Sequence, residues 1–285
     1  MKQQKKYKKF KNKNKFNIFN LKYKIIYIEH LKNKMSSEID KRKYTREEYI
    51  YLSKLYTKAE EYKKVLEFIE EFIKLNPKLD KEELDILSTG FKNMITDKRA
   101  SWFTLNSLER KEKKKKKNTV KEIKEVKSHI ENELRETCNK LQEIIDKYLL
   151  PNNDDDESVV FLYKLKADYF RYICEFAEGK ELENNLTKSE EYYKKAFEIS
   201  EKKLPIMNCN RVSVGLNFAI FLYEIKKDKK GGFDVAQNIF KESMKFIDDL
   251  ENSKYRDTLL IIQLLKENII FWNSEMSEEE AKLPE

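Results

Sequence analysis

Chain breakers are scarce in this sequence: 285 residues include only five Gly and four Pro, while 39% are Asp, Glu, Lys or Arg. Glycine and proline punctuate turns and interrupt regular elements. A chain this poor in both, with apolar residues returning every three or four positions, folds into long helices joined by short connections and has little room for sheet. The fold class read from this pattern is all-α. The length is enough to bury a substantial core, in one large helical domain or two smaller ones.

Nine helices can be followed along the chain. Residues 44–75 give two, with a break near Glu60 to Tyr62, and Asn76-Pro77 stops the second. A third runs from about Lys81 into the lysine run at 113–117, and a fourth from about Val120 to Tyr148. PNNDDDE lacks the regular spacing of a calcium loop and reads as an exposed linker. The fifth helix spans about 157–178 and the sixth about 187–203. The last three span about 211–227, 233–250 and 254–274, with Gly231 and Gly232 marking one connection.

The formal net charge of +8 would ordinarily point to nucleic acid or an anionic membrane, but it is unevenly placed. Residues 1–34 hold twelve Lys and a single acid, Glu29, a local charge of +11 that leaves residues 35–285 at −3. No nucleic-acid partner is therefore expected of the folded core. Residues 1–35 read as a basic extension or an upstream start, because MSSEIDKRKYTREEY from Met35 resembles a natural beginning. The extension's apolar run, IIYI, is too short for a membrane span. Residues 36–273 form the helical domain, and 274–285 read as an acidic flexible tail.

Cys138, Cys174 and Cys209 are odd in number and far apart, without a C-x-x-C pair, so neither a disulfide framework nor a zinc site is indicated. A reducing cytoplasm suits them, with the nucleus also open. His30 and His129 form no ligand cluster, and the sequence has no phosphate-binding glycine loop, triad motif or H-E-x-x-H. No catalysis, metal or cofactor is expected.

Lys92 and Arg99 stand seven apart in FKNMITDKR, two turns along one side of a helix, and Lys164 and Arg171 repeat the interval with Tyr172 alongside. Taken alone, such charges usually lie on a solvated face. Two cationic stripes could instead converge on a dianionic phosphate, which guanidinium forks bind bidentately.

RASW, KADYFRY, the LNF…YEI run and QLLKENIIFW, in this order and spacing, resemble the 14-3-3 family over roughly residues 36–273. The resemblance implies nine antiparallel helices in a right-handed stack with a concave amphipathic groove. It implies a noncatalytic adaptor for phosphoserine or phosphothreonine segments of partner proteins. Residue by residue, it assigns Lys92, Arg99, Arg171 and Tyr172 to the phosphate, with Lys164 as an outer contact. Asn217 and Asn268 would hold the ligand main chain. Leu216, Ile220, Leu260, Ile261, Leu264 and Trp272 would form the apolar wall, and Glu224 the acid beside it. Asp168 and Glu175 are expected to orient Arg171 or Lys92 rather than meet the ligand.

At the family's subunit contact the pattern departs. Glu61 and Lys64 face Glu133 and His129, where the family has an arginine and an aspartate facing a glutamate and a lysine. The expectation is a homodimer with weakened or altered docking. Ser101, before Trp102, matches a position whose phosphorylation disfavours dimers. In the groove, Asp85 replaces a usual asparagine and Phe103 a basic residue, and PIMNCN lacks the proline-rich pattern usual before the seventh helix. Ser274 or Ser277, once phosphorylated, would be candidates to return to the groove. The competing class is a tetratricopeptide-like scaffold binding without phosphate, prompted by AEEYKKVLEFIEEFIKLNP and SEEYYKKAFEIS, although no 34-residue period runs through the chain.

Overall fold

The structure, a computed structural model, describes residues 43–115, 119–246 and 255–280. The lysine-rich extension before residue 43, the end of the lysine run and the last residues of the acidic tail lie outside that range. The described residues are all-α, without strands. They form nine helices packed antiparallel: α1 Arg46–Lys58, α2 Tyr62–Leu75, α3 Lys81–Lys114, α4 Val120–Ile144, α5 Asp156–Cys174, α6 Gly179–Lys203, α7 Cys209–Ile220, α8 Lys229–Met244 and α9 Arg256–Glu280. Two run on into a wider π turn, α4 through Ile145–Leu149 and α7 through Phe221–Lys226.

Local chemistry sets several of these boundaries. Glu60 takes a left-handed φ of 59°, breaking α1 from α2 at the expected place. Asp80 caps α3 in a reciprocal box with Glu83. Asp155, Asn208 and Asp228 accept from first-turn backbone N–H groups of α5, α7 and α8. Gly179 opens α6 at φ 55°, and that helix starts well before the expected residue 187. At the other end, α9 does not stop near 274 but continues to Glu280, into the stretch read as a tail.

Each helix packs on its neighbours in the chain, and the odd-numbered helices also touch in succession: α1 with α3, α3 with α5, α5 with α7, α7 with α9. The face that should carry the site is thus built from parallel helices tied by their antiparallel partners. Val65, Ile69, Phe72, Leu87, Phe91, Leu134 and Leu141 are fully buried in the N-terminal half. In the C-terminal half, Val212, Leu216, Ala219, Tyr223, Ala236, Leu265 and Trp272 make one cluster. Each large apolar side chain so buried contributes about 1.5–3 kcal/mol. Uneven helix lengths, from 12 to 34 residues, leave no repeating unit of the tetratricopeptide kind. No described helix is long and apolar enough to cross a membrane.

Candidate functional site

Two of the cations picked out, Arg99 on α3 and Arg171 on α5, meet on Tyr172. The Arg99 guanidinium carbon lies 4.0 Å from the centre of the Tyr172 ring and that of Arg171 lies 4.6 Å from it. Two like charges this close need fixed counter-charges. Glu175 grips Arg99 through Nε and Nη2 at 2.8 and 2.5 Å. Asp168 accepts from Arg171 Nη2 at 3.4 Å and from Lys164 Nζ at 2.9 Å. The expectation for the two acids is therefore half corrected: Asp168 does orient Arg171, but Glu175 holds Arg99 and neither acid pairs with Lys92.

Asp168 is the centre of this network. It also accepts from the Tyr193 hydroxyl at 2.5 Å and from Asn217 Nδ2 at 2.8 Å, while Tyr193 accepts from Arg171 Nε at 2.9 Å. Burial would push the Asp168 carboxyl up, but Lys164 and Arg171 outweigh it and hold the group below the usual carboxylate range. Burial likewise works against the Arg171 charge, and Tyr193 and Asp168 keep its pKa well above the ordinary value. The Tyr172 phenol is pushed up, first by burial and then by Asp168, so it stays protonated and able to donate.

Three cations, Lys164, Arg99 and Arg171, thus stand against two carboxylates, Asp168 and Glu175, an excess of one positive charge that Lys92, two turns before Arg99 on α3, would raise to about two. Among the described residues the recorded bonds occupy only Nε and one Nη2 hydrogen of each guanidinium, leaving three of its five N–H donors. Lys92 is exposed, two turns before Arg99, and no carboxylate pairs with it among the described residues.

On α7 and α9 the expected wall divides. Leu260 and Leu264 are exposed, at 59% and 50%. Ile220 and Ile261 are half-buried against the α7–α9 core, and Leu216 is buried in it. Asn217 spends its amide N–H on Asp168, which leaves its carbonyl oxygen to accept. Asn268 is half-buried one turn from Leu264. Trp272, expected to pack against a ligand, is only 1% exposed. It stacks on Tyr223 at 4.3 Å and gives its indole N–H to Glu224 at 3.2 Å. Its position fixes Glu224 and the end of α9 and offers no broad ligand surface.

The residues expected at a subunit contact lie on α2, α3 and α4, with Glu61 at the N-cap just before α2. Glu61, Ser101 and His129 are exposed, and Lys64 bonds Glu67 at 2.8 Å. Glu133 is held by Lys98 at 2.5 Å, and that bond is the chief reason its carboxyl is lowered. Tyr193 and the role of Glu175 were not found from sequence. Tyr193 sits in SEEYYKKAFEIS, a polar stretch with no signal that its hydroxyl reaches α5.

Residues 52–273 match the family model described as 14-3-3 protein. Over 235 residues the chain is 37% identical to 14-3-3-like protein GF14 epsilon of Arabidopsis thaliana, covering 82% of this chain and 92% of that one. It is 35% identical to human 14-3-3 protein beta/alpha over 236 residues, 83% and 96% of the two chains. Identity to checkpoint signal transducer rad25 of Schizosaccharomyces pombe is 35% over 232 residues, 81% of this chain and 86% of that one. With all-α architecture, the paired guanidinium groups on Tyr172 and this coverage, the chain belongs to the 14-3-3 family of noncatalytic phosphopeptide-binding adaptors.

Proposed function

We propose that Arg99, Arg171 and Tyr172 form the cradle with which this adaptor holds a phosphoserine or phosphothreonine segment of a partner protein, Lys92 and Lys164 adding positive charge. The observation that carries the reading is the approach of both guanidinium carbons to one phenol ring. A phosphate monoester brings −1.5 to −2 charges at neutral pH. That matches the local excess of about two, so the phosphorylated segment is bound and the unmodified one leaves the cations uncompensated. Asn217, through its free carbonyl oxygen, and Asn268 hold the ligand backbone, while Leu216, Ile220, Leu260, Ile261 and Leu264 provide the apolar side and Glu224 the acid beside Trp272. Binding of this kind masks sites, holds conformations or scaffolds two partners, in the cytoplasm or nucleus. Arg99→Gln and Arg171→Gln should each lower affinity for a phosphopeptide more than about tenfold, since a charge-assisted bond is worth roughly 1.5–3 kcal/mol. Unchanged affinity of either variant in a fluorescence titration would contradict the assignment.

The second partner proposed is another copy of this chain. Tyr51 and Leu55 on α1, Phe103 and Leu108 on α3 and Val126 on α4 are exposed large apolar side chains that support such a contact. Glu61, Lys64, His129 and Glu133 supply no matched ion pairs across it. Because Glu133 is neutralised by Lys98 and Lys64 by Glu67 within the chain, docking is driven by apolar burial and is weaker or differently set than in the family pattern.

A further inference from the structure

Arg99 and Arg171 are both held through Nε and Nη2. Arg99 gives the two nitrogens to Glu175, while Arg171 gives Nε to the Tyr193 hydroxyl and Nη2 to Asp168. In a planar guanidinium this leaves the edge formed by Nη1 and the second hydrogen of Nη2 for a ligand. The two holds differ in strength. At Arg99 one carboxylate reaches both nitrogens, at 2.8 and 2.5 Å. At Arg171 the carboxylate stands three residues earlier on the same helix and reaches only Nη2, at 3.4 Å. The shorter bond, 2.9 Å, is the one to Tyr193.

Tyr193 itself is rigidly placed. It is fully buried on α6, with its ring stacked on Phe218 at 5.7 Å and tilted on Phe221 at 5.4 Å. One turn earlier Ser189 donates to the Ala167 carbonyl at 3.0 Å, which fixes the height of α6 against α5 beside Asp168. A side chain so enclosed touches no ligand. Its phenol has one hydrogen to give and lone pairs to receive. The hydrogen goes to Asp168 Oδ1 at 2.5 Å, and the oxygen accepts from Arg171 Nε. Burial, with the Asp168 charge added, raises the Tyr193 pKa well above the ordinary value against the pull of Arg171, so the proton stays in place. Asn217 Nδ2 meets the same Asp168 oxygen at 2.8 Å.

We propose that Tyr193 is a positioning residue for phosphate recognition: its hydroxyl turns the Arg171 guanidinium so that the Nη1–Nη2 edge faces the ligand, and through Asp168 Oδ1 it keeps that edge in register with Asn217. The inference rests on the phosphate reading and extends it to a side chain beyond the ligand's reach. Without the hydroxyl, Arg171 Nε loses its nearer partner, and the guanidinium turns to pair more fully with Asp168. That movement withdraws Nη donors from the phosphate, whose bidentate recognition depends on their direction. An unmodified ligand makes no use of this edge, so the effect is confined to the phosphorylated form.

The test is fluorescence anisotropy on the full chain with one peptide in phosphoserine and unmodified forms. Tyr193→Phe keeps the ring and its packing, and it should bind the phosphopeptide roughly five- to thirtyfold more weakly, the unmodified peptide being unaffected. Phe197→Leu, which loosens the same aromatic cluster through Phe218 but spares the hydroxyl, should lower thermal stability and leave phosphopeptide affinity at the parent value. In an Arg171→Gln background Tyr193→Phe should cost less than about twofold more, because the hydroxyl acts through Arg171. The Arg171 Nε–H signal in nitrogen-edited NMR, identified by its loss in Arg171→Gln, should shift in Tyr193→Phe. Parent-like phosphopeptide affinity in Tyr193→Phe, an undiminished effect in the Arg171→Gln background, an unmoved Nε–H signal, or an equal affinity loss in Phe197→Leu would each overturn the positioning role. Equal affinity of the parent for the two peptides is a separate comparison, and it would overturn the phosphate reading and this inference with it.

Discussion

Asp168 shows how much of the site depends on one buried carboxylate. It fixes Lys164, Arg171, Tyr193 and Asn217 at once, so it ties α6 to α5 and sets the positions of groups on α5 and α7 that are proposed to serve one ligand. Asp168→Asn keeps the shape but removes the charge that balances two half-buried cations. We predict a loss of roughly 2–4 kcal/mol in urea unfolding, together with weaker phosphopeptide binding. A stability within 0.5 kcal/mol of the parent, to within about the error of the method, would contradict this role. The cations themselves were legible in the sequence because a seven-residue interval returns a side chain to the same side of a helix. The acids were less so. Glu175 lies four after Arg171, yet it reaches across to Arg99 on α3, and only the packing of α3 on α5 shows that. The indole hydrogen bond expected of Trp272 is made, to Glu224, but its burial was hidden for a related reason: its neighbours Ile270 and Phe271 are exposed, and sequence does not say which of three adjacent large side chains turns inward.

At the scale of elements, the joint between α3 and α4 is held by a buried carboxylate. Glu109, on α3, accepts from Lys127 of α4 at 2.8 Å and pairs with Lys113 at 2.6 Å. Those two bonds lower its pKa to about 2. A carboxylate depressed in the folded state stabilises the fold fully above its ordinary pKa, and that contribution disappears as pH falls toward about 2. Glu109→Gln should therefore cost roughly 1–2 kcal/mol near pH 7, discounted because Lys113 is half-exposed. The difference from the parent should shrink between about pH 4.5 and 2. A pH-independent difference in thermal unfolding would refute this account. Element order and most helix starts could be read from capping residues and periodicity, but two boundaries could not. The early start of α6 lies in the run ELENNLT, where Leu182 and Leu186, four apart, are the only apolar residues and Leu186 packs on the core. The end of α9 is kept helical by tertiary anchors: Glu275 accepts from the Tyr223 hydroxyl at 2.9 Å and from Lys229 at 3.3 Å, and Met276 packs on the core. Ser277 lies in this helix with its hydroxyl on the Asn273 carbonyl. A tail returning to the groove would first have to unwind that last stretch.

For the whole molecule, the charge asymmetry assigns different behaviour to different parts. The described helices carry the proposed phosphate site, while the lysine-rich first 34 residues account for the positive net charge. Removing residues 1–34 should leave phosphopeptide affinity unchanged within about twofold and should abolish any salt-sensitive retention on anionic surfaces. A large loss of peptide affinity in the shortened chain would show that the extension takes part in binding. The proposed self-association rests on the exposed apolar side chains of α1, α3 and α4, and the unmatched charges at Glu61, Lys64, His129 and Glu133 weaken it. Sedimentation should find a dimer that dissociates more readily than an apolar contact with matched ion pairs would, and a tight, salt-insensitive dimer would contradict the proposal. The most direct test of the central claim is a fluorescence titration of the full chain with one peptide in phosphoserine and unmodified forms. The account predicts saturable binding of the phosphorylated form and at least about a hundredfold weaker binding of the other, the loss of two charge-assisted bonds at roughly 1.5–3 kcal/mol each. Equal affinity for the two forms would contradict it.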